Sequence, residues 1–508
     1  ITQRLKYIAD LGVDAIWISP FFTSPMKDFG YDVSNYRDVD PIFGTMEDFD
    51  RLVEKAHDLG IRIIIDQVIS HSSDQHPWFL ESRQSKTNVK SDWYVWADPK
   101  PDGSPPNNWL SIFGGSAWYW EPRRKQYYLH NFLSSQPDLN FHNEEVQSAV
   151  LEEMRFWLDK NVDGFRLDTV NFYFHSKGLE NNPPLALDRL NAFIAPDVNP
   201  YNLQDHIFDK SRPENLSFLK KIRALLNEYP NVTSVGEIGD AQRQHEIMAD
   251  YTTGDEHLHM AYAFDFLGGS FDVKNFRAAI EAASAAKGSW QCLAFSNHDV
   301  ERHISRWAKN GKQDEFARLS AMLLLSMRGS VCLYQGEELG LTEANIAYEE
   351  LMDPYGIEFW PKFKGRDGCR TPMVWQAHEN FGGFTTAAKS WLPVPADHLG
   401  RAVDQQEKSN AGSTLEFYRS FIRFRKAHPA LVSGDISLLA DCDNILAFTR
   451  QNEEERILCL FNMSDQNASF QLSPDMKLQT MNAPGSIDVG GAGEIQLSGF
   501  EALIAKIV

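Results

Sequence analysis

The stretch "VDGFRLDTVN", Val162 to Asn171, places two opposite charges inside a short apolar segment. Side chains alternate between the two faces of a strand, so we expect Arg166 and Asp168 to point the same way. Two charges on one face of a buried strand are costly unless they serve each other or a ligand. The pattern therefore predicts that this strand end belongs to a functional site.

The same local pattern recurs along the chain, where short apolar strands alternate with amphipathic helices, several of which end in glycine. Such alternation predicts βα units and a parallel sheet. The predicted strands begin at Val13, Ile61, Val162, Val232, Met260, Gln291 and Ser330. A closed barrel of this kind needs eight strands, and the sequence opens within a helical pattern. We therefore expect the first barrel strand to precede residue 1.

Several of the predicted strands end in a carboxylate. In a barrel of this type the active site lies at the C-terminal ends of the strands, so carboxylates there indicate catalysis. A single one could equally cap a helix, but their repetition on several strands favours the catalytic interpretation. The residues are Asp66, Asp168, Glu237 and Asp299.

Two of these carboxylates have surroundings that predict different protonation states. A nearby arginine lowers the pKa of a carboxylate, so Arg166 should keep Asp168 ionised, as a nucleophile must be. Glu237 follows Gly236 among apolar neighbours, and partial burial would keep it protonated, as a general acid requires. Such a pair is the equipment for glycoside hydrolysis. A structural ion-pair network remains the alternative at this point.

Composition narrows the choice of partners and compartment. The chain has 49 basic and 70 acidic residues, a net charge of −21, which disfavours nucleic acid and anionic membranes and suits a neutral substrate. No apolar run reaches about 18 residues, so no membrane span is expected. Five widely spaced cysteines without a CxxC motif indicate reduced thiols. We expect a cytoplasmic protein, as a monomer or homodimer.

Two regions interrupt the βα pattern. The segment after "DQVISH" is rich in Trp, Pro, Gly and Asn and too long for an ordinary loop, which predicts an inserted domain. Near the C-terminus, short alternating strands predict an antiparallel β domain. The predicted fold is α/β: a (β/α)8 TIM barrel with a small domain inserted after the third barrel strand and a C-terminal antiparallel β-sandwich. The predicted boundaries are 1–71 and 141–427, 72–140, and 428–508.

Seven motifs occur in one order along the chain: "SPMKDFGYDVSNY", "DQVISHSSDQHPWF", "FGGSAWYW", "GFRLDTVN", "GEI", "FSNHD" and "GRDGCRTPMVW". Together they resemble the α-amylase superfamily, in its α-glucosidase and oligo-1,6-glucosidase branch, over essentially the whole chain. The resemblance implies that Asp168 is the nucleophile, Glu237 the general acid/base and Asp299 the transition-state stabiliser. It implies a retaining α-glucosidase that also transfers glucose to other acceptors.

The resemblance also assigns substrate contacts. It implies that Arg166 holds the nucleophile and that His71 and His298 hydrogen-bond the glucose at the cleaved bond. It implies that Asp28 and Arg366 clamp the far hydroxyls of that glucose, which closes the pocket and predicts exo action on short oligosaccharides. The remaining predicted contacts are Tyr31, which would stack on the ring, Phe113 nearby, and Thr169.

Two positions bear on specificity. Ser70 stands where the family usually has Asn, so a supporting hydrogen bond is expected to differ. Thr169 follows the nucleophile, and in this branch Thr or Ala there accompanies α-1,4 action, whereas Val accompanies α-1,6 action. The chemistry is expected to need no cofactor. No metal ligand is assigned, and a structural calcium or magnesium ion is expected only in a loop preceding residue 1.

Other functions compatible with the same fold are an oligo-1,6-glucosidase, a sucrose-cleaving enzyme, and a transglucosylase or isomerase. A more distant alternative is a non-catalytic, heavy-chain-like ectodomain that partners a membrane transporter. Such relatives have usually lost catalytic residues, whereas this chain keeps all three carboxylates. The expected partners are therefore small neutral sugars.

Overall fold

The computed structural model describes residues 1–186, 189, 195–240, 242–286, 288–308, 311–409, 412–440, 442–489 and 493–508. The chain divides into two structural units. The first unit comprises Ile1–Ala9, Val13–Tyr262 and Asp353–Phe363. The second unit comprises Asp10–Gly12, Ala263–Met352 and Lys364–Val508.

Each of the seven segments predicted to form the parallel sheet contains a strand. In chain order, the strands are β1 (Ala15–Ile18), β2 (Phe22–Thr23), β3 (Asn35–Val39), β4 (Arg62–Gln67), β5 (Trp96–Ala97), β6 (Trp118–Glu121), β7 (Gln126–Leu129), β8 (Gly164–Leu167), β9 (Thr233–Glu237), β10 (Met260–Ala263), β11 (Gln291–Leu293), β12 (Ser330–Val331), β13 (Asp435–Leu438), β14 (Ile445–Gln451), β15 (Arg456–Asn462), β16 (Ala468–Gln471), β17 (Leu478–Thr480), β18 (Glu494–Leu497) and β19 (Ala502–Ile507).

Helices follow most of the parallel strands, as the sequence pattern predicts. In chain order, the α-helices are α1 (Leu5–Leu11), α2 (Met46–Asp58), α3 (Pro77–Ser82), α4 (Glu144–Leu158), α5 (Asn215–Leu226), α6 (Gln244–Thr252), α7 (Val273–Ala285), α8 (His303–Trp307), α9 (Gln313–Ser326), α10 (Pro354–Phe359), α11 (Ala396–Leu399), α12 (Val403–Lys408), α13 (Thr414–Ala427) and α14 (Pro429–Ser433).

Helix α2 shows how local sequence sets these elements. Thr45 and Asp48 form a capping box that satisfies backbone N–H groups at its start. Its buried side chains, Phe49, Leu52 and Val53, lie on one face at helical spacing. The helix ends before Gly60, so strand β4 can begin at once. The same alternation of capped helix and apolar strand precedes strand β8.

The parallel sheet of the first unit has the order β1-β4-β8-β9-β10. The register sets Asp66 on β4 opposite Arg166 on β8, and Leu167 opposite Gly236 on β9. The C-terminal ends of these three strands therefore lie side by side. Asp66, Asp168 and Glu237 are brought to one edge of the sheet by this register.

Between β4 and α4 the first unit carries helix α3 and an antiparallel sheet of order β5-β7-β6. Its buried core includes Val95, Trp109, Trp118 and Leu129. An isolated bridge pairs His71 with Asp138, so this segment leaves and returns beside the end of β4. The segment lies where the insertion is predicted, and its proposed boundaries at 72 and 140 stay a prediction.

In the second unit, β11 and β12 pair in parallel and the C-terminal residues form antiparallel sheets. One sheet has the order β13-β14-β15-β19-β17, and β16 pairs with β18. Leu458 and Leu503 of the larger sheet share one apolar core with Phe470 and Ile495 of the smaller. The two sheets thus pack face to face, as the alternating C-terminal strands predict.

Two buried arginines complete the end of helix α9. Arg450 on β14 donates from Nη1 to the carbonyl oxygens of Ser326 (2.6 Å) and Met327 (2.7 Å). Arg425 on α13 donates from Nη2 to the carbonyl of Gly329 (2.8 Å). The last carbonyls of a helix lack intrahelical partners and carry partial negative charge, so cations suit this position. Burial nevertheless lowers the pKa of Arg450 to about 9.

Candidate active site

One buried arginine in the first unit contacts three carboxylates, a group that we call the Arg166 cluster. Arg166, 2% exposed, places Nη1 2.8 Å from Asp66 Oδ1 and 2.6 Å from Asp168 Oδ1. Its Nη2 lies 2.6 Å from Glu237 Oε2. The sequence predicts the contact with Asp168, because both residues share one strand end. The contacts with Asp66 and Glu237 follow from strand register, which the local sequence does not encode.

Asp66 is a fully buried carboxylate of this cluster. Burial raises its pKa to about 6, and the neighbouring Arg166 charge opposes that rise. The hydroxyl of Tyr31 and the indole N–H of Trp17 donate to Asp66 Oδ2 at 3.0 and 3.1 Å. Tyr31, predicted to stack on the sugar, is therefore fixed by Asp66. The sequence signal for Asp66 was its position as a carboxylate at a strand end.

Thr169 begins a tight turn directly after the predicted nucleophile. Its φ of 40° and ψ of 48° lie in the left-handed region, which β-branched residues rarely adopt. In this conformation its N–H donates to Glu237 Oε2 (3.0 Å) and its hydroxyl donates to Asp168 Oδ2 (3.2 Å). One residue thus contacts both carboxylates predicted to act on the glycosidic bond.

His71 and Asp28 are joined by a residue that sequence reasoning missed. Gln136 Nε2 donates to Asp28 Oδ2 (3.0 Å) and lies 3.2 Å from His71 Nε2. His71 Nε2 also lies 3.0 Å from the backbone oxygen of Tyr31. Burial lowers the pKa of His71 to about 4, so its ring is neutral near pH 7. Gln136 begins the segment "QPDLNF", which has no strand or helix periodicity that would have marked it as part of a site.

Phe113 lies one aromatic ring away from His71. Its ring centroid is 5.9 Å from that of Phe132, which in turn lies 5.2 Å from the His71 ring. Phe113 also packs 4.9 Å from Tyr355 within an apolar cluster. Phe113 is thus linked to His71 through Phe132, and its predicted place near the sugar stays a prediction.

The second unit holds a contrasting group, the Asp299 cluster. Asp299 Oδ1 lies 2.8 Å from Arg370 Nη2 and 3.2 Å from Arg366 Nη1, and Oδ2 lies 3.2 Å from His298 Nε2. Arg370 Nε also donates to the backbone oxygen of His298 (2.6 Å). Sequence reasoning selected Arg366 and missed Arg370, although both stand in "GRDGCRTPMVW".

The described residues offer neither a metal centre nor a membrane-spanning helix. Among the described residues, no group of three or more His, Cys, Asp and Glu side chains is arranged to hold a metal ion. Within the same described ranges, the helices are all too short or too polar to cross a membrane.

The sheet, the C-terminal domain and the paired carboxylates define an enzyme that cleaves glycosidic bonds, and comparison with known families agrees. The sequence-family model for the alpha amylase catalytic domain matches residues 1–434. The family model for the maltogenic amylase C-terminal domain matches residues 437–484. The chain belongs to the α-amylase superfamily, in its glucosidase branch. The predicted fold, a TIM barrel followed by a C-terminal β domain, is confirmed.

Relatives and solved structures place the chain more closely. A probable alpha-glucosidase of Rhizobium meliloti (strain 1021) is 57% identical, covering 100% of this chain and 92% of the relative. An oligo-1,6-glucosidase of Heyndrickxia coagulans is 36% identical over 94% of this chain and 89% of its own. The crystal structure of the alpha-glucosyl transfer enzyme XgtA matches with a TM-score of 0.97 at 50% identity, covering 100% of this chain and 94% of that one. The protein is a glycoside hydrolase of the α-glucosidase class.

Proposed function

We propose that this enzyme is a retaining exo-α-glucosidase. It releases α-glucose from the non-reducing end of short α-1,4-linked oligosaccharides and α-glucosides, and it transfers glucose as a side reaction. The observation that carries the proposal is the Arg166 guanidinium, which contacts both Asp168 and Glu237 at 2.6 Å. A retaining glycosidase needs two carboxylates close enough to act on the same bond.

In the proposed mechanism Asp168 attacks the anomeric carbon while Glu237 protonates the departing oxygen. Arg166 and the Thr169 hydroxyl bond opposite oxygens of Asp168, which orients the carboxylate and favours its ionised form. Glu237 Oε2 accepts from Arg166 and from the Thr169 N–H. The transferable proton is therefore carried on Oε1. Glu237, now ionised, then activates the water that hydrolyses the glucosyl-enzyme.

The remaining predicted residues are assigned substrate contacts by membership of the family. Asp299, held by two guanidinium groups, stabilises the positive charge that develops on the sugar ring. His71, which is neutral near pH 7, and His298 bind glucose hydroxyls. Asp28 and Arg366 are proposed to bind hydroxyls of a non-reducing terminal glucose, the contact that exo action requires. These roles, like the absence of a required cofactor and the choice of small neutral sugars as partners, are part of the proposal.

A second candidate is a glucosyl transferase. The 50% identity with an enzyme of alpha-glucosyl transfer favours it, because a covalent glucosyl-enzyme can be intercepted by an alcohol as well as by water. The 36% identity with an oligo-1,6-glucosidase supports the α-1,6 alternative, which Thr169 argues against. Relative rates on different acceptors and linkages separate these candidates.

The test is product analysis on maltose, isomaltose, sucrose and trehalose, with proton NMR of the first product. We expect maltose to be cleaved fastest and the first glucose to be the α anomer, because two inversions give net retention. Initial β-glucose would rule out the double displacement. A glucosylated acceptor that forms faster than glucose at low acceptor concentration would favour the transferase. Activity that survives dialysis against a chelator would support chemistry without a metal cofactor.

A further inference from the structure

Two hydroxyl groups lie between His71 and the proposed nucleophile. Ser70 Oγ is 2.9 Å from His71 Nδ1 and 3.0 Å from Thr169 Oγ1. Thr169 Oγ1 in turn lies 3.2 Å from Asp168 Oδ2. Ser70 is 1% exposed, so water does not compete freely for its hydroxyl. The four groups form one continuous line of hydrogen-bonding contacts.

The line has three contacts, and each needs one hydrogen. The Ser70 and Thr169 hydroxyls supply one each, and an ionised carboxylate supplies none. The third hydrogen must therefore come from Nδ1 of His71. A neutral imidazole carries a single N–H, so all three contacts form only in the tautomer protonated at Nδ1.

The opposite side of the histidine ring can satisfy either tautomer. His71 Nε2 faces the backbone oxygen of Tyr31, an acceptor, at 3.0 Å, and Gln136 Nε2, a donor, at 3.2 Å. Gln136 Oε1 accepts from the N–H of Leu133 (2.9 Å), which fixes the amide orientation. A proton on Nε2 suits Tyr31, and a lone pair on Nε2 suits Gln136. When the His71 proton is on Nε2, only two hydrogens are available for the three contacts between His71 Nδ1 and Asp168.

We propose that Ser70 and Thr169 act as a hydroxyl relay, which couples the charge on the nucleophile to the tautomer of His71. While Asp168 is an ionised carboxylate, Thr169 donates to it, Ser70 donates to Thr169, and His71 Nδ1–H donates to Ser70. Once Asp168 is esterified by glucose, its remaining oxygen is a weak acceptor. Thr169 then donates to Ser70, and Ser70 donates to Nδ1.

The proton count of the four groups stays the same in this exchange. Both hydroxyls reverse direction by rotation, and His71 loses a proton at Nδ1 and gains one at Nε2 by exchange with water or a sugar hydroxyl. His71 thus accepts through Nε2 before glucosyl transfer and donates through Nε2 after it. Ser70 touches no reacting atom, so it is a positioning residue. The inference rests on the proposed function, because it takes Asp168 as the nucleophile.

A hydroxyl suits this task in a way that the family's usual Asn does not. A hydroxyl donates or accepts in either direction, whereas a side-chain amide has fixed donor and acceptor atoms. Ser70→Asn should therefore keep polar contacts but block the reversal. Ser70→Ala removes both contacts of the residue. Ser72→Ala is the matched control, because Ser72 is a neighbouring buried serine whose hydroxyl contacts Tyr94 instead.

The decisive measurement needs no variant of the relay. Ring ¹⁵N shifts of His71, assigned by the signal lost in His71→Gln, report its tautomer in the resting enzyme and in the glucosyl-enzyme trapped with a fluorinated α-glucosyl fluoride. We expect Nδ1 protonation in the first and Nε2 protonation in the second. One tautomer in both states would overturn the relay. Failure to form the covalent adduct, checked by mass, would instead overturn the proposed function.

Kinetics give an independent test. With an activated aryl α-glucoside, Ser70→Ala and Thr169→Val should each lower kcat/KM by about tenfold, with Ser72→Ala unchanged. Because both remove the same relay, the double variant should lose about tenfold as well. A loss of about a hundredfold, the product of the single effects, would show independent contacts and contradict the coupling. Thr169→Ser keeps the hydroxyl and should restore most of the activity.

Discussion

The Arg166 cluster and the Asp299 cluster use the same kinds of side chain in opposite proportions. The first surrounds one guanidinium with three carboxylates, and the second surrounds one carboxylate with two guanidinium groups and an imidazole. An excess of buried anions favours binding of a proton, whereas an excess of cations keeps a carboxylate ionised. The comparison suggests that the first cluster moves protons and the second supplies a fixed negative charge.

The largest expected effect comes from Asp168→Asn in the Arg166 cluster. Turnover of maltose should fall by at least about 10⁴-fold, because an amide cannot form the glucosyl-enzyme. The change is nearly isosteric, so the melting temperature should stay close to that of the unmodified enzyme. Asp74→Asn, which weakens a partly exposed ion pair with Lys27, is the control and should keep full activity. Near-normal hydrolysis by folded Asp168→Asn would contradict the assigned role.

Glu237→Gln should distinguish the proton donor from the nucleophile. We expect a loss of about 10²–10⁴-fold on maltose, whose leaving group needs protonation. The loss should be much smaller in the glucosylation step with an activated aryl glucoside, measured as a burst of released phenol. Equal losses on both substrates would show that Glu237 acts in some other way.

Arg166→Met should show the cost of removing the single cation of its cluster. Leaving several carboxylates buried without it should destabilise the protein by about 3–5 kcal/mol, measured as the free energy of unfolding in urea. Arg62→Met is the control, since the Arg62 side chain is 52% exposed and its pair with Asp163 should contribute about 1 kcal/mol or less. Arg370→Met should cost less than Arg166→Met, because Arg366 still contacts Asp299. A larger cost for Arg370→Met would reverse the comparison.

The pH dependence of the unfolding free energy tests whether Asp66 holds a proton in the folded protein. The pKa of Asp66 is about 6 in the folded state, against 3.8 for an ordinary aspartate, so between these pH values the folded state binds more protons than the unfolded one. Stability from this group is therefore highest at low pH and falls as pH rises, by about 3 kcal/mol. The unfolding free energy of the unmodified protein minus that of Asp66→Asn should therefore fall by about 3 kcal/mol between about pH 4 and about pH 7. A difference that grows with pH would mean that Arg166 outweighs burial.

The smallest expected effect concerns linkage choice at Thr169. Thr169→Val replaces a hydroxyl that contacts Asp168 with a methyl group of similar size. We expect the isomaltose-to-maltose ratio of kcat/KM to rise by about tenfold, equivalent to about 1.4 kcal/mol. Thr169→Ser, which keeps the hydroxyl, should leave the ratio nearly unchanged. If the unmodified enzyme already prefers isomaltose, linkage choice is set elsewhere.

The strands and helices could be predicted because their signals are local. Apolar runs, capping residues and terminal glycines mark each element, and the two-residue spacing of Arg166 and Asp168 was enough to place them in contact. The contact of Arg166 with Glu237 depends on pairing between strands far apart in sequence, so no local pattern shows it.

Other parts of the site could not be predicted from local sequence signals for a different reason. Gln136 belongs to a segment without periodicity, where neither strand nor helix spacing predicts a direction. The left-handed position of the turn at Thr169 is held by Thr169 itself and not by Gly or Asn, the residues that usually mark such positions. Its backbone is held instead by partners such as Glu237, which only the folded chain brings near.

The contacts of Arg425 and Arg450 at the end of helix α9 have a consequence for folding during translation. Ser326, whose carbonyl accepts from Arg450, is translated 124 residues earlier than its partner. At roughly 5–20 residues per second, the ribosome adds Arg450 roughly 6–25 s later. Until Arg450 has been added, the carbonyl groups of Ser326 and Met327 lack the buried donor that they have in the finished protein. This part of the molecule is therefore completed only after strand β14 has been made, well after helix α9.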